Sequence, residues 1–151
     1  MAAGAWAIYN KFKEYVADGT LDLDNDVFKL ALFTSASNAA TTTLSVLGSV
    51  TNEVASGNGY LTGGKSLAGI TWAAGASASE MRLDATATIW SASGGSIANA
   101  KHAVLYDFTS GASAGARKLV ATSQLSTSQF SITAGNTLTI TPSANGIFEL
   151  N

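Results

Sequence analysis

Thr51 to Lys65 is the stretch that most limits how this chain can fold. It carries four glycines (Gly57, Gly59, Gly63 and Gly64) and two asparagines (Asn52 and Asn58). These residues reach positive φ at little steric cost, so turns and irregular backbone are expected here. The chain before it reads as one helix and one strand. The chain after it reads as short strands separated by turns.

The same stretch contains a literal phosphate-loop pattern, Gly59-Tyr60-Leu61-Thr62-Gly63-Gly64-Lys65-Ser66. That pattern works where a buried strand feeds the N-terminus of a helix, so that backbone N–H groups converge on phosphate. Glu53 to Asn58 is too polar and glycine-broken to be such a strand. Leu67 to Ala73 has no helical repeat. The context argues against nucleotide binding.

A chain of 151 residues without cysteine is expected to form one domain, 1–151, large enough to fold without disulfide or thiolate staples. A net charge of −2 gives no electrostatic case for nucleic acid. No apolar run is long enough for a membrane-spanning helix. The opening Met1-Ala2-Ala3-Gly4 lacks the basic start of a secretory signal, so none is expected. Only 12% of the residues are charged, about half the usual share, and Ala, Ser, Thr and Gly take their place. A chain that packs against copies of itself or a partner has less need of a charged surface. An ordinary β-domain with a Ser/Thr-rich face fits the same composition.

Ala3 to Ala17 reads as a helix, with Trp6, Tyr9, Phe12, Lys13 and Val16 at helical spacing and Asp18-Gly19 as its stop. Its aromatic stripe covers an open sheet face or docks on a neighbouring subunit. Asp22, Asp24 and Asp26 alternate along an acidic turn. The calcium-loop pattern fails there, because Val27 and Phe33 stand where its glycine and glutamate belong, which leaves at most a loose surface calcium site. Val27 to Thr34 is the clearest strand, apolar enough to be covered on both faces. Ser35 to Thr43 reads as a surface loop, and Leu44 to Val50 fits a helical turn or a strand. Further strands are expected at Lys65–Ala73, Glu80–Asp84, Thr86–Trp90, His102–Asp107, Lys118–Ala121 continuing to Leu125, Gln129–Ile132, Thr137–Ile140 and Ile147–Leu150. The Ala134-Gly135-Asn136 turn lies between Gln129–Ile132 and Thr137–Ile140. The fold class expected is mainly β: an antiparallel β-sandwich or jelly roll with one N-terminal α-helix.

No catalytic constellation emerges, so the chain is read as a non-enzyme without cofactor or metal. His102, the sole histidine, begins an apolar strand and has no second histidine for a triad or a zinc site. Glu80 and Asp84 would stand about 13 Å apart along a strand, too far for glycosidase chemistry. Glu53 is expected to pin nearby backbone N–H groups. Trp72, Trp90, Tyr106 and Phe130 read as core residues.

Several segments together resemble small virion structural proteins of tailed bacteriophages. They are Ala5 to Lys13, Asp18 to Asp24, Phe28 to Thr34, Thr51 to Val54 with Gly57 to Tyr60, Trp90 to Ile97, and Asn145 to Phe148. The resemblance implies a particle component and not an enzyme. A capsid decoration or cement protein fits best: it would sit on the virion's outer capsid surface after assembly in the host cytoplasm. Its partners would be the major capsid protein and copies of itself, with a homo-oligomer, a trimer favoured. A tail or fibre-associated component and a carbohydrate-binding β-sandwich module are the alternatives. The contact residues expected are Trp6, Tyr9 and Phe12 on the helix stripe and Asn58 and Tyr60 in the glycine-rich loop.

Overall fold

The opening segment runs as a strand before it turns into a helix. In the computed structural model, which describes residues 4–150, Trp6–Ile8 is strand β1. Only Phe12–Ala17 is helical, as α1. This corrects the helix expected over 3–17, whose first residue, Ala3, lies outside the described residues. Trp6 and Ile8 share a face at strand spacing, with Tyr9 on the opposite one, and tryptophan, isoleucine and tyrosine favour strands. A free sheet edge decides the matter: Trp6 pairs with Ser123 and Ile8 with Ala121. Tyr9 N–H donates to Val120 O at 3.0 Å. The chain then turns, and α1 ends as expected at Asp18-Gly19.

The remaining strands are β2 (Phe28–Phe33), β3 (Lys65–Ser66), β4 (Thr71–Ala74), β5 (Met81–Asp84), β6 (Thr88–Ser91), β7 (Ile97–Ala100), β8 (His102–Asp107), β9 (Leu119–Gln124), β10 (Phe130–Ile132), β11 (Thr137–Ile140) and β12 (Phe148–Leu150). A 3-10 turn lies at Leu47–Ser49. The architecture is mainly β, antiparallel throughout and sandwich-like. A five-stranded sheet has the order β1-β9-β8-β2-β3. Facing it are smaller sheets of order β12-β5-β4, β11-β6 and β10-β7.

Strands β2 and β8 are apolar along their length because the five-stranded sheet is covered on both sides. Side chains alternate between two cores. Leu30, Leu32, Ala103 and Leu105 face the larger core, with Leu83, Trp90, Ile97, Leu138 and Phe148 from the smaller sheets. Ala31, Phe33, Val104 and Tyr106 face a second core that is closed by Tyr9, Ala39 and Leu47. Phe12 sits in the larger core, its ring 5.1 Å from Phe148 in an edge-on arrangement.

Three local differences from the expected strands have physical causes. Lys65–Ala73 is two strands, because Gly69 takes a φ of +59° between them. Strand β7 was not expected: it holds small residues and Asn99 at φ +62°, and its pairing with β10 shifts register. Strands β10 and β11 flank a turn but pair with β7 and β6 instead of each other. Trp90 and Tyr106 are fully buried, while Trp72 and Phe130 pack half-buried on the core.

Removing residues 1–17 takes away an edge strand and two fully buried aromatics, so the truncated chain is expected to lose its cooperative thermal transition by circular dichroism. Phe12→Ala alone is expected to cost about 3–5 kcal/mol in denaturant unfolding. A truncated chain that stays folded would show that this segment is an accessory.

Candidate functional site

The glycine-rich stretch is fastened to both layers, with Glu53 as its hub. Residues 52–54 run beside the end of β2: Thr34 N–H donates to Asn52 O at 3.0 Å and Val54 N–H to Leu32 O at 2.9 Å. Glu53 pairs with Phe33 in an isolated antiparallel bridge. Its Oε1 accepts hydrogen bonds from Tyr60 Oη and from Gly63 N–H, each at 2.6 Å. Tyr60 Oη in turn accepts from Leu32 N–H at 3.0 Å. From the other side, Tyr106 Oη donates to Gly63 O at 2.7 Å. Glu53 thus pins backbone, as its sequence context implies.

Both tyrosines remain donors over the ordinary pH range. Burial pushes Tyr106 up to about 12. It raises Tyr60 further, with the Glu53 carboxylate adding to the effect.

The loop also reaches the opposite layer. Asn58 Nδ2 donates to Ser96 O at 2.9 Å, and Ser93 N–H donates to Asn58 O at 3.0 Å. Ser56 and Thr62 close its neck, with hydroxyls 2.6 Å apart. Backbone packs against backbone at two glycines. A Cβ at Gly59 would lie 2.0 Å from Ser91 O, and one at Gly64 would lie 1.9 Å from Leu30 O. Both positions have positive φ, so only glycine fits them. The phosphate-loop pattern therefore serves chain packing. Lys65 opens strand β3 where a nucleotide site needs a helix, and its Nζ donates to Ile89 O at 2.6 Å.

Of the five expected contact residues, three are corrected. Tyr9, Phe12 and Tyr60 are fully buried and offer no side-chain surface to a partner. Tyr9 Oη donates to Ala39 O at 2.6 Å, and Tyr60 is the loop's internal anchor. Trp6 is half-buried on the edge strand, and Asn58 is exposed at the loop tip. The structure does not bring Trp6 and Asn58 into one site. What the sequence reading missed is Leu61, 73% exposed, held outward between buried Tyr60 and the pinned Gly63. Ile89, Val27 and Met81 are also exposed, by 47%, 46% and 36%. The alternation of β6, with Thr88 and Trp90 inward, could have identified Ile89.

An open cleft of about 220 Å³ lies beside the loop and includes Phe33, Leu47, Val50, Glu53 and Arg117 in its walls. The Arg117 guanidinium lies 4.1 Å from the Phe108 ring centre, and its Nε donates to Gly111 O at 3.3 Å.

Elsewhere several acids serve the backbone. Asp22 Oδ1 accepts from the N–H groups of Asp24 and Asn25, and its Oδ2 accepts from Asn25 Nδ2. These bonds hold its carboxyl below the usual range, the Asn25 side chain contributing most. Among the described residues, no three His, Cys, Asp or Glu side chains gather as a metal site would require. His102 is buried, and burial followed by the Lys101 charge lowers its pKa. Asp107 is fully buried at the end of β8. Its Oδ1 accepts from Thr109 and Ser110 N–H, and its Oδ2 lacks a hydrogen-bond partner of good geometry. Burial, and then the nearby Asp26 carboxyl, push Asp107 up from 3.8 to about 6.

No helix among the described residues is long and apolar enough to cross a membrane. No protein-family model, curated protein or solved structure gives a significant match to the chain.

Tyr60→Phe leaves Glu53 short of a donor and Leu32 N–H short of an acceptor. It is expected to cost about 1–3 kcal/mol in urea unfolding. A loss within error would show that the loop does not depend on this bond.

Asp107 binds its proton more tightly folded than unfolded. Its contribution to stability is therefore full below the ordinary carboxyl value of 3.8 and is lost as pH rises towards about 6. Asp107→Asn keeps the Oδ1 acceptor and removes the charge. At about pH 8 it is expected to exceed the parent in stability by about 1–2 kcal/mol, with the gap closing towards about pH 4. A gap that does not change with pH would refute this account.

Proposed function

We propose that the chain is a bacteriophage virion structural protein, a capsid decoration protein that binds the outer shell and stabilises it. Its partners are the major capsid protein and other copies of the chain. The observation that carries this reading is Leu61. A leucine that is 73% exposed is unremarkable on a mobile loop. This one stands on a loop held by Glu53, Tyr106 and Asn58, so its position is set before any partner arrives. A preorganised apolar knob binds with little ordering cost. Exposed Ile89 lies on β6, whose Ser91 carbonyl the loop approaches at Gly59. The low charge of the whole chain and the resemblance of its segments to phage virion proteins support the same reading.

The work done would be mechanical. Packaged genome pulls capsomers apart. A protein bound across their junctions opposes that pull with apolar contact worth about 25 cal/mol per Å² buried, multiplied by symmetric repetition. No bond is made or broken.

Quantitative mass spectrometry of purified particles tests the reading. Copies on the order of hundreds per particle are expected for a shell protein. A few tens or fewer would move the chain to the tail, and absence from the particle would end the proposal. Leu61→Ser is expected to leave the thermal transition of the isolated protein unchanged within about 0.5 kcal/mol, because it alters only exposed surface. The same change is expected to lower occupancy on particles and their survival on heating. Full occupancy and equal survival would remove Leu61 from the contact.

A further inference from the structure

We infer that strand β4 is a self-pairing edge, through which two copies of this chain join their three-stranded sheets into one antiparallel sheet. The inference holds whether or not the chain belongs to a virus particle.

Exposed sheet edges are normally guarded by charge, proline, irregular pairing or shortness. Several edges here are guarded, and β1, the outer strand of the five-stranded sheet, is only three residues long. Strand β3 is two residues long and begins with Lys65. Strand β12 carries Glu149. The β7–β10 pair has a register shift and Asn99 at positive φ. On β6, Ile89 O is taken by Lys65 Nζ. Strand β4, Thr71-Trp72-Ala73-Ala74, has no charge and no proline, and it pairs in regular register with β5. Thr71, Ala73 and Ala74 are exposed.

The hydrogen-bond phase shows what the open side offers. Gly75 N–H donates to Glu80 O at 2.8 Å. With Ala73 opposite Arg82 and Thr71 opposite Asp84, alternation makes these the bonded pairs of the β4–β5 ladder. Trp72 and Ala74 therefore turn their N–H and C=O groups outward. Among the described residues, no hydrogen bond reaches those groups.

A second copy satisfies them in one register. A two-fold axis beside Ala73 sets Trp72 against Ala74 of the second copy, and Ala74 against its Trp72. About four main-chain hydrogen bonds result. Ala73 then faces itself at the non-bonded position, where Cα atoms approach to about 4.5 Å and a small side chain is needed. The bulky Trp72 is matched with a small Ala74. The two Arg82 side chains start on strands about 14 Å apart, so their repulsion is weak. The contact is small for a protein pair, so a weak, concentration-dependent dimer is expected. A two-fold contact gives a dimer, where the phage resemblance favours a trimer.

Sedimentation velocity at high micromolar concentration tests this. The parent protein is expected at twice the 15.3 kDa chain mass. Ala73→Lys and Ala73→Glu change an exposed side chain, and each is expected to sediment as a monomer with an unchanged circular dichroism spectrum. Mixed in equal amounts they are expected to recover the dimer, because residue 73 meets its own counterpart. Ala74→Pro removes one outward N–H and no β5 bond, and is expected to give a folded monomer. A monomeric parent, a trimer, or a dimer indifferent to all three substitutions would overturn the inference.

Discussion

The glycine-rich crossing between the two layers depends on one carboxylate oxygen. Glu53 Oε1 receives both the Tyr60 hydroxyl and the Gly63 N–H. Tyr60 cannot enter the core without a partner for its hydroxyl, because an unmet buried hydroxyl costs more than a met one returns. Once Tyr60 is placed, its oxygen takes Leu32 N–H, and Tyr106 takes the carbonyl of Gly63. The loop is then tied to β2 and β8 at one end. Asn58 ties it to the region before β7 at the other. A stretch whose composition reads as loose becomes a strut.

That strut matters because the sheets do not form one continuous surface. The smaller layer consists of three separate groups of strands, and hydrogen bonds alone do not align them. Apolar burial does, through Leu83, Trp90, Ile97, Leu138 and Phe148 in a common core. The Thr51–Lys65 crossing adds fixed polar contacts at the β6 end. Without them, the small sheets could slide on their apolar faces at little cost.

The sequence made the fold class legible where strands obey a simple rule. Continuous apolar runs marked β2 and β8, because each serves two cores. The turns that bound the shorter strands were equally plain. The opening segment misled because Trp6, Tyr9 and Phe12 repeat at helical spacing while Trp6 and Ile8 also suit a strand, and the free edge of β9 decides between the two. Asn99 hid β7, since a residue at positive φ interrupts the alternation by which a strand is recognised. At the candidate site, Glu53 could be read as a backbone clamp because it is the one acid amid glycines. Tyr60 could not be assigned, since an aromatic in a loop points outward as readily as inward until its hydroxyl finds a partner. Leu61 was hidden by the same ambiguity: the burial of one neighbour forces the other out.

Rigidity and low charge together restrict the work such a surface can do. A charged rim would steer partners from a distance and sharpen choice among them. With only 12% of residues charged, this chain has little of that reach, and encounter must be made productive by shape at contact. Shape selects well only if it is fixed beforehand, since each side chain ordered on binding costs about 0.5–1.5 kcal/mol. A pinned loop presenting Leu61 and a regular open edge at β4 both meet that condition. Each is weak alone. Repeated by symmetry in an assembly, weak contacts of fixed geometry add through effective concentration. A flexible surface of the same composition would not gain in that way, because every copy would bear the ordering cost again.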